Sequence, residues 1–319
     1  MIPAFRTDQE LVWLVSGLAG VLVLATSAAL VLQRSLNSET AQATMANVTA
    51  RIRAWWVLCA IFAAALAVGN AGLFALFGLT SFLALREFIT LAPTRRGDHR
   101  SLCWAFFVII PVQYWLAATG WYGLFSILIP VYALLLVPLR SAMVGDAERF
   151  LERTADIQWG LMVCVYCLSY APALLTLEIP GFEGENAKLL FFLVLVVQIS
   201  DVLQFVWGKF LGRRRIAPTI SPNKTWEGFL GGVGSATLIG AALWWATPFC
   251  LGQAAGMSLV ITLMGFAGGL TMSAIKRDRG VKDYGTLIKG HGGLLDRIDS
   301  LCFAAPVFFH LARYFLTSG

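Results

Sequence analysis

Charge is what this chain of 319 residues has least of. Asp, Glu, Lys and Arg together make up 13% of it, about half the share of a soluble domain. There is no block of roughly 100 polar residues that could fold as a separate soluble domain. Cysteine is sparse and misplaced for a disulfide framework. Cys59, Cys103, Cys164, Cys167, Cys250 and Cys302 all lie in or beside apolar runs, whereas secreted scaffolds keep theirs in polar loops. Cys164 and Cys167 form a C-x-x-C, but no second pair completes a metal site, and free cysteines are commonly buried. The amino terminus lacks the basic segment and cleavage site of a signal peptide, so residues 11–33 read as a retained helix. Internal repeats and low-complexity tracts are missing too.

What the chain has instead is hydrophobicity. Apolar residues make up 58%, and the mean hydropathy is +0.74. That excludes a water-soluble globule, a disordered chain and a nucleic-acid partner of the ordinary kind. The fold class it implies is all-α, a polytopic transmembrane bundle of nine or ten spans joined by short cytoplasmic loops. The apolar runs fall at 11–33, 54–68, 70–90, 102–119, 121–139, 158–177, 188–207, 226–247, 254–276 and 294–316. Gly69-Asn70-Ala71-Gly72 breaks the second run from the third. Pro111 and Pro130 lie inside the fourth and fifth and are expected to kink them. Two connecting segments read as surface helices. One is the polar, Ala-rich stretch 36–53. The other is 140–157, with Met143, Val144, Ala147, Phe150 and Leu151 on one face and Asp146, Arg149, Glu152 and Arg153 on the other. Gly228/Gly232 and Gly265/Gly269 are small-xxx-small pairs suited to close helix packing.

Basic residues orient this threading. With an outer amino terminus and ten crossings, the inner loops and adjoining helix ends hold 21 of the 24 Lys and Arg, leaving Arg6, Lys188 and Arg313 outside. The positive-inside rule therefore puts the basic loops in the cytoplasm and both termini outside. A sequon at Asn47-Val48-Thr49 falls on the inner side and is set aside. The expected location is the inner (cytoplasmic) membrane of a bacterium. Residues 1–190 read as a helical scaffold with room for a lipid cavity, and 191–319 as the catalytic region.

Carboxylates at membrane depth concentrate in that second region. Asp201 interrupts the apolar run 189–207, and Asp296 and Asp299, three apart, open the last span on one face. Earlier in the chain, Glu87 is the exception, beside Arg86 at the end of the third span. Two basic loops flank these acids. The first runs through Gly208-Lys209, Gly212-Arg213 and Ser221-Pro222-Asn223-Lys224-Thr225-Trp226-Glu227-Gly228. A turn at Ser221-Pro222 is expected, with Asn223, Lys224 and Thr225 at the positive start of a helix, where a phosphate binds well. The second loop, 276–293, mixes Lys276, Arg277, Arg279 and Lys282 with five glycines and with Asp278 and Asp283. Cations with glycines suit a polyphosphate, and carboxylate oxygens suit Mg²⁺.

The order S-x-I-K-R-x4-K-D-x-G-x2-I-x2-H-G-G-L-x-D-R-I-D, from Ser273 to Asp299, closely resembles the motif of the phosphatidate cytidylyltransferases, or CDP-diacylglycerol synthases. S-P-N-K-T-W-E-G, from Ser221, resembles a second block of that family. Together they cover about residues 198–310. The resemblance implies an integral membrane enzyme, active on the cytoplasmic side, that joins CTP to phosphatidic acid or a related lipid phosphate with Mg²⁺, a second cation being allowed. It releases pyrophosphate. It further implies metal ligation by Asp283 and Asp296, then Asp201 and Asp299. Lys276 and Arg277 take catalytic roles beside Asp283 and Asp296. Ser221, Asn223, Lys224, Thr225, Lys282, Gly290, Gly292, Gly293 and Arg297 contact substrate. His291 is a metal ligand, a proton donor or a hydrogen bond that shapes the loop. Asp278 is expected to be solvated, His99 and His310 structural, and a homodimer is allowed.

Two departures mark a divergent branch. Lys289 stands where the family commonly has Pro or Gly, and Val202-Leu203-Gln204 follow Asp201 in place of small residues. Rival readings are a CTP-dependent lipid-alcohol kinase and an ion-coupled transporter. A CDP-alcohol phosphotransferase is excluded by the absence of its D-x2-D-G-x2-A-R signature.

Overall fold

In hydrocarbon a backbone N–H or C=O finds a partner only within its own segment, so the apolar runs close into helices. The computed structural model describes residues 9–35, 39–285 and 292–317, with the side chains of 32–35, 39–47 and 51 outside that description. Ten long helices stand among the described residues. They are α1 (Gln9–Ser35), α2 (Glu39–Val68), α3 (Asn70–Thr90), α4 (Arg96–Ala118), α5 (Tyr122–Ala142), α6 (Phe150–Thr176), α7 (Ala187–Leu211), α8 (Trp226–Ala242), α9 (Leu251–Asp278) and α10 (Leu295–Leu316). Eight are long and apolar enough to cross a membrane. The other two are α8, which has 17 residues, and α10, which carries Asp296, Arg297, Asp299, His310 and Arg313. The protein is a multi-pass integral membrane protein.

The chain divides into two compact units. The amino-terminal unit holds α1, α2 and the start of α3, to Leu76. There α1 packs on α2, and the Trp56 indole N–H donates to Thr26 Oγ1 at 3.1 Å. Gly69, at φ +91°, makes the α2–α3 break where the sequence places it. Residues 39–53 are helical as expected, but they continue into α2 rather than forming a separate surface helix.

The second unit holds Phe77–Gly285 and Gly293–Gly319. Its α7, α8, α9 and α10 pack each on the next, and α10 also lies against α6. The helices around Pro111 and Pro130 widen into π turns, at Ala105–Ile109 and Leu128–Ala133. Such turns relieve the missing N–H and the ring clash of an interior proline.

The surface helix expected over 140–157 does not form. Helix α5 ends at Ala142 and α6 begins at Phe150, with left-handed backbone at Gly145 and Arg149 between them. Arg153, expected on the solvated face, is 1% exposed. Its Nε lies 3.0 Å from Asp98 Oδ2, its Nη1 lies 3.2 Å from Asp146 Oδ2, and it also donates to the Glu148 carbonyl. A guanidinium with that many acceptors draws the start of α6 inward, and a buried charge requires such partners.

The short sheet was not expected. Strand β1 (Arg215–Ala217) pairs antiparallel with β2 (Ser221–Thr225). The turn therefore falls at 218–220, where Ile220 N–H donates to Ala217 O, and not at Ser221-Pro222. Pro222 is tolerated because a two-stranded ribbon is all edge.

Candidate active site

The first half of the site hangs on β2 and the start of α8. Thr225 is the N-cap of α8, and its hydroxyl accepts the Gly228 N–H at 3.1 Å. That hydroxyl is thus committed to the helix end. Glu227 Oε2 accepts the N–H groups of Arg213 at 2.9 Å and Arg214 at 3.1 Å, which ties the end of α7 to the start of α8. Lys224 then points inward. Its Nζ sits 4.7 Å above the Phe266 ring centre and 3.5 Å from the Phe266 carbonyl oxygen. Burial pushes the Lys224 ammonium below the ordinary lysine range, and the carboxylates of Asp299 and Asp201 oppose that shift. Ser221 is half-buried and Asn223 is exposed.

Facing Lys224 are two of the predicted carboxylates. Ser300 Oγ donates toward Asp201 Oδ1 at 3.2 Å and Asp299 Oδ1 at 3.4 Å, so one hydroxyl bridges α7 and α10. The lysine can come this close because α9 has Gly269 there: a Cβ at that position would lie 3.0 Å from Lys224 Nζ.

The second half is the turn from α9 into α10. Lys276 Nζ lies 2.7 Å from Asp296 Oδ1. Asp296 Oδ2 accepts the N–H groups of Tyr284 and Gly293, both at 2.9 Å. Asp296 therefore draws together the two ends of the glycine loop and fixes Lys276. Burial raises the Tyr284 phenol, which stays protonated and donates to the Met272 carbonyl at 3.0 Å. Arg277 donates to Ile220 O at 3.2 Å and to Val281 O at 3.0 Å, linking the β-turn to the loop. Arg279 pairs with Asp156 of α6 at 2.5 Å. Asp278 has a side chain 74% exposed, as expected.

Glu87, noted in the sequence beside Arg86 as the exceptional carboxylate of the first spans, has a defined place. Its Oε1 accepts Leu294 N–H at 2.9 Å and its Oε2 accepts Leu295 N–H at 2.8 Å. A carboxylate from α3 thus caps the positive start of α10. Gly285 and Gly293 lie against it: a Cβ on Gly285 would come 2.7 Å from Glu87 Oε1. These two glycines give space to a protein carboxylate. Ser300 does not stand out by type or spacing, and Glu87 is conspicuous in the sequence only as a charge at membrane depth; the fold brings each of them to the site.

The four carboxylates expected to share metal do not gather at one point. Asp201 and Asp299 form a pair, Asp296 is held by Lys276 and two amides, and Asp283 is exposed, as is Lys282. Among the described residues no three His, Cys, Asp or Glu side chains converge to hold a metal. Mg²⁺ needs only one or two carboxylates when substrate phosphates and water complete its shell, so the Asp201–Asp299 pair has fitting donor chemistry. Arg297 is half-buried, and its carbonyl accepts from Gln198 Nε2 at 3.2 Å. Gly292 has φ +83°. His291 and Gly290 lie outside the described residues.

The chain is similar to known proteins over most of its length. A model of the cytidylyltransferase family matches residues 49–315. An uncharacterized Escherichia coli protein, YnbB, is 42% identical over 272 residues, 84% of this chain and 88% of the relative. A Bacillus subtilis phosphatidate cytidylyltransferase is 30% identical over 67% of this chain and 77% of its own length. A Staphylococcus aureus phosphatidate cytidylyltransferase is 36% identical over 39% of this chain and 49% of its own.

Proposed function

Because the chain belongs to the cytidylyltransferase family, we propose that it transfers CMP from CTP to phosphatidic acid or a related lipid phosphate, on the cytoplasmic side of a bacterial inner membrane. The observation that carries this reading is the half-buried Lys224 beside the Asp201–Asp299 pair, with Lys276 fixed nearby by Asp296. In the reaction a lipid phosphate oxygen attacks the α-phosphorus of CTP. The bond from that phosphorus to the β-phosphate bridging oxygen breaks, and pyrophosphate leaves with the electron pair. The attacking oxygen is already anionic, so no strong base is needed. The difficulty is two anions meeting, and preorganised cations answer it.

Lys224 and Lys276 supply that positive charge from side chains already partly desolvated and oriented. Asp296 holds Lys276 and the loop together, and Glu87 keeps the start of α10 in register beneath them. Asp201 and Asp299 would hold Mg²⁺, which neutralises polyphosphate charge when bound.

The test is turnover by purified protein with CTP labelled at the α-phosphate, phosphatidic acid and Mg²⁺. The expected result is a lipid-soluble labelled product and one pyrophosphate for each. Lipid labelled only from γ-phosphate-labelled CTP, with CDP released, would make the protein a lipid kinase instead.

A further inference from the structure

A cavity of about 990 Å³ opens in the second unit, away from the candidate active site. It is walled by the ends of α4, α6 and α10, the start of α5 and the segment leading into α7. Arg313, in its wall, lies 14 residues along α10 from Asp299, or about 21 Å at the helical rise. Helix ends converging on one cavity place it at the depth of lipid headgroups, at the far end of α10.

Three features of this cavity are unused by the proposed chemistry. Arg313 stacks face-on above Tyr122, its Cζ 3.4 Å from the ring centre. Stacking uses the face of a guanidinium and leaves its edge N–H groups to bind a phosphate or carboxylate. Among the described residues no carboxylate lies within ion-pair distance of it. Asn186 is 8% exposed. Its Nδ2 donates to the carbonyls of Leu175 and Leu177, and its Oδ1 is buried without a donor. Glu178 and Glu183 also line the cavity. One guanidinium against two carboxylates disfavours a purely anionic ligand. It matches a phosphate joined to an ammonium. Leu116, Phe125, Leu175 and Phe309 supply apolar wall beside these groups.

We propose that this cavity binds a zwitterionic aminophospholipid, its phosphate on Arg313 and its ammonium toward Glu178 and Glu183. The site is separate from nucleotide transfer and does not depend on that reading.

The experiment is native mass spectrometry of delipidated protein given equal phosphatidylethanolamine and phosphatidylglycerol. The expected result is preferential retention of phosphatidylethanolamine, reduced about tenfold in Arg313→Gln, as for loss of a charge-assisted hydrogen bond. Arg313→Lys is expected to restore part of it, and Glu178→Gln with Glu183→Gln to weaken the preference over phosphatidylglycerol. Equal retention of the two lipids, or an unchanged Arg313→Gln protein, overturns the proposal. Displacement by free phosphoethanolamine at the lipid's own concentration overturns the lipid as ligand. Should Arg313→Gln fail to fold, photoreactive phosphatidylethanolamine on the unmodified protein decides. Crosslinks at 116–125, 173–186 or 309–317 support the site, and crosslinks confined elsewhere refute it.

Discussion

Lys276 and Asp296 show how one residue pair joins stability to chemistry. Their side chains are 12% and 8% exposed, and removing one member of a buried pair leaves the other charge uncompensated. Lys276→Met is therefore expected to cost about 3–5 kcal/mol, whereas Lys282→Met, on an exposed side chain, should stay within about 0.5 kcal/mol. Unfolding midpoints by tryptophan fluorescence in one detergent check this, and equal midpoints would show that the pair contributes nothing. Lys224 belongs to a different class, because its ammonium approaches carboxylates already bridged by Ser300. Lys224→Ala is expected to lower turnover about 10²-fold, the usual cost of one preorganised charge-stabilising donor. A steady-state assay at saturating CTP measures it, and a change confined to KM would instead assign Lys224 to ground-state binding alone.

At the scale of elements, helix α8 is held to α7 by absent side chains. A Cβ on Gly228 would come 2.8 Å from Gln204 O and 2.9 Å from Gly208 Cα, both backbone atoms that cannot rotate away. Gly234, on the same helix, has nothing within 4 Å of its Cβ position. Gly228→Ala is expected to destabilise by about 1–3 kcal/mol, and Gly234→Ala to be neutral or to gain up to about 1 kcal/mol from helix propensity. Thermal unfolding of the two variants decides, and equal effects would mean that α7 and α8 can separate at little cost. Glu87 acts across elements in the same way. Glu87→Gln keeps one acceptor oxygen of two, so the start of α10 should loosen by about 1–2 kcal/mol. Hydrogen exchange at Leu294 and Leu295 is the direct measurement, and unchanged protection there would remove Glu87 from its capping role.

For the whole molecule, an odd or even number of crossings determines which ends share a side of the membrane. Ten helices put the loop around Arg213 and the segment around Glu183 on opposite sides, since α7 alone separates them. In a cysteine-free background of sealed bacterial cells, a cysteine at 183 is expected to react with an impermeant reagent from outside, and one at 213 only after lysis. Labelling of 213 from outside would overturn the cytoplasmic placement of the candidate site.

Much of the fold follows from composition alone. Twenty-residue apolar runs have no alternative to helix in hydrocarbon, so the ten elements and the break at Gly69 are legible in one dimension. Lys224 and Asp201 are also legible, because a motif keeps its spacing and a carboxylate in an apolar run is conspicuous. The sheet β1–β2 is not, since five residues around Pro222 carry no alternating pattern. The start of α6 is misread because hydrophobic periodicity cannot register an arginine enclosed by Asp98 and Asp146. Which carboxylate does which task lies beyond the sequence as well. Asp201, Asp296 and Asp299 are the same residue type, and Asp201 and Asp299 become a pair only because Ser300 reaches both. Glu87 and Leu294 are 207 positions apart, and only tertiary packing brings a carboxylate to that helix end.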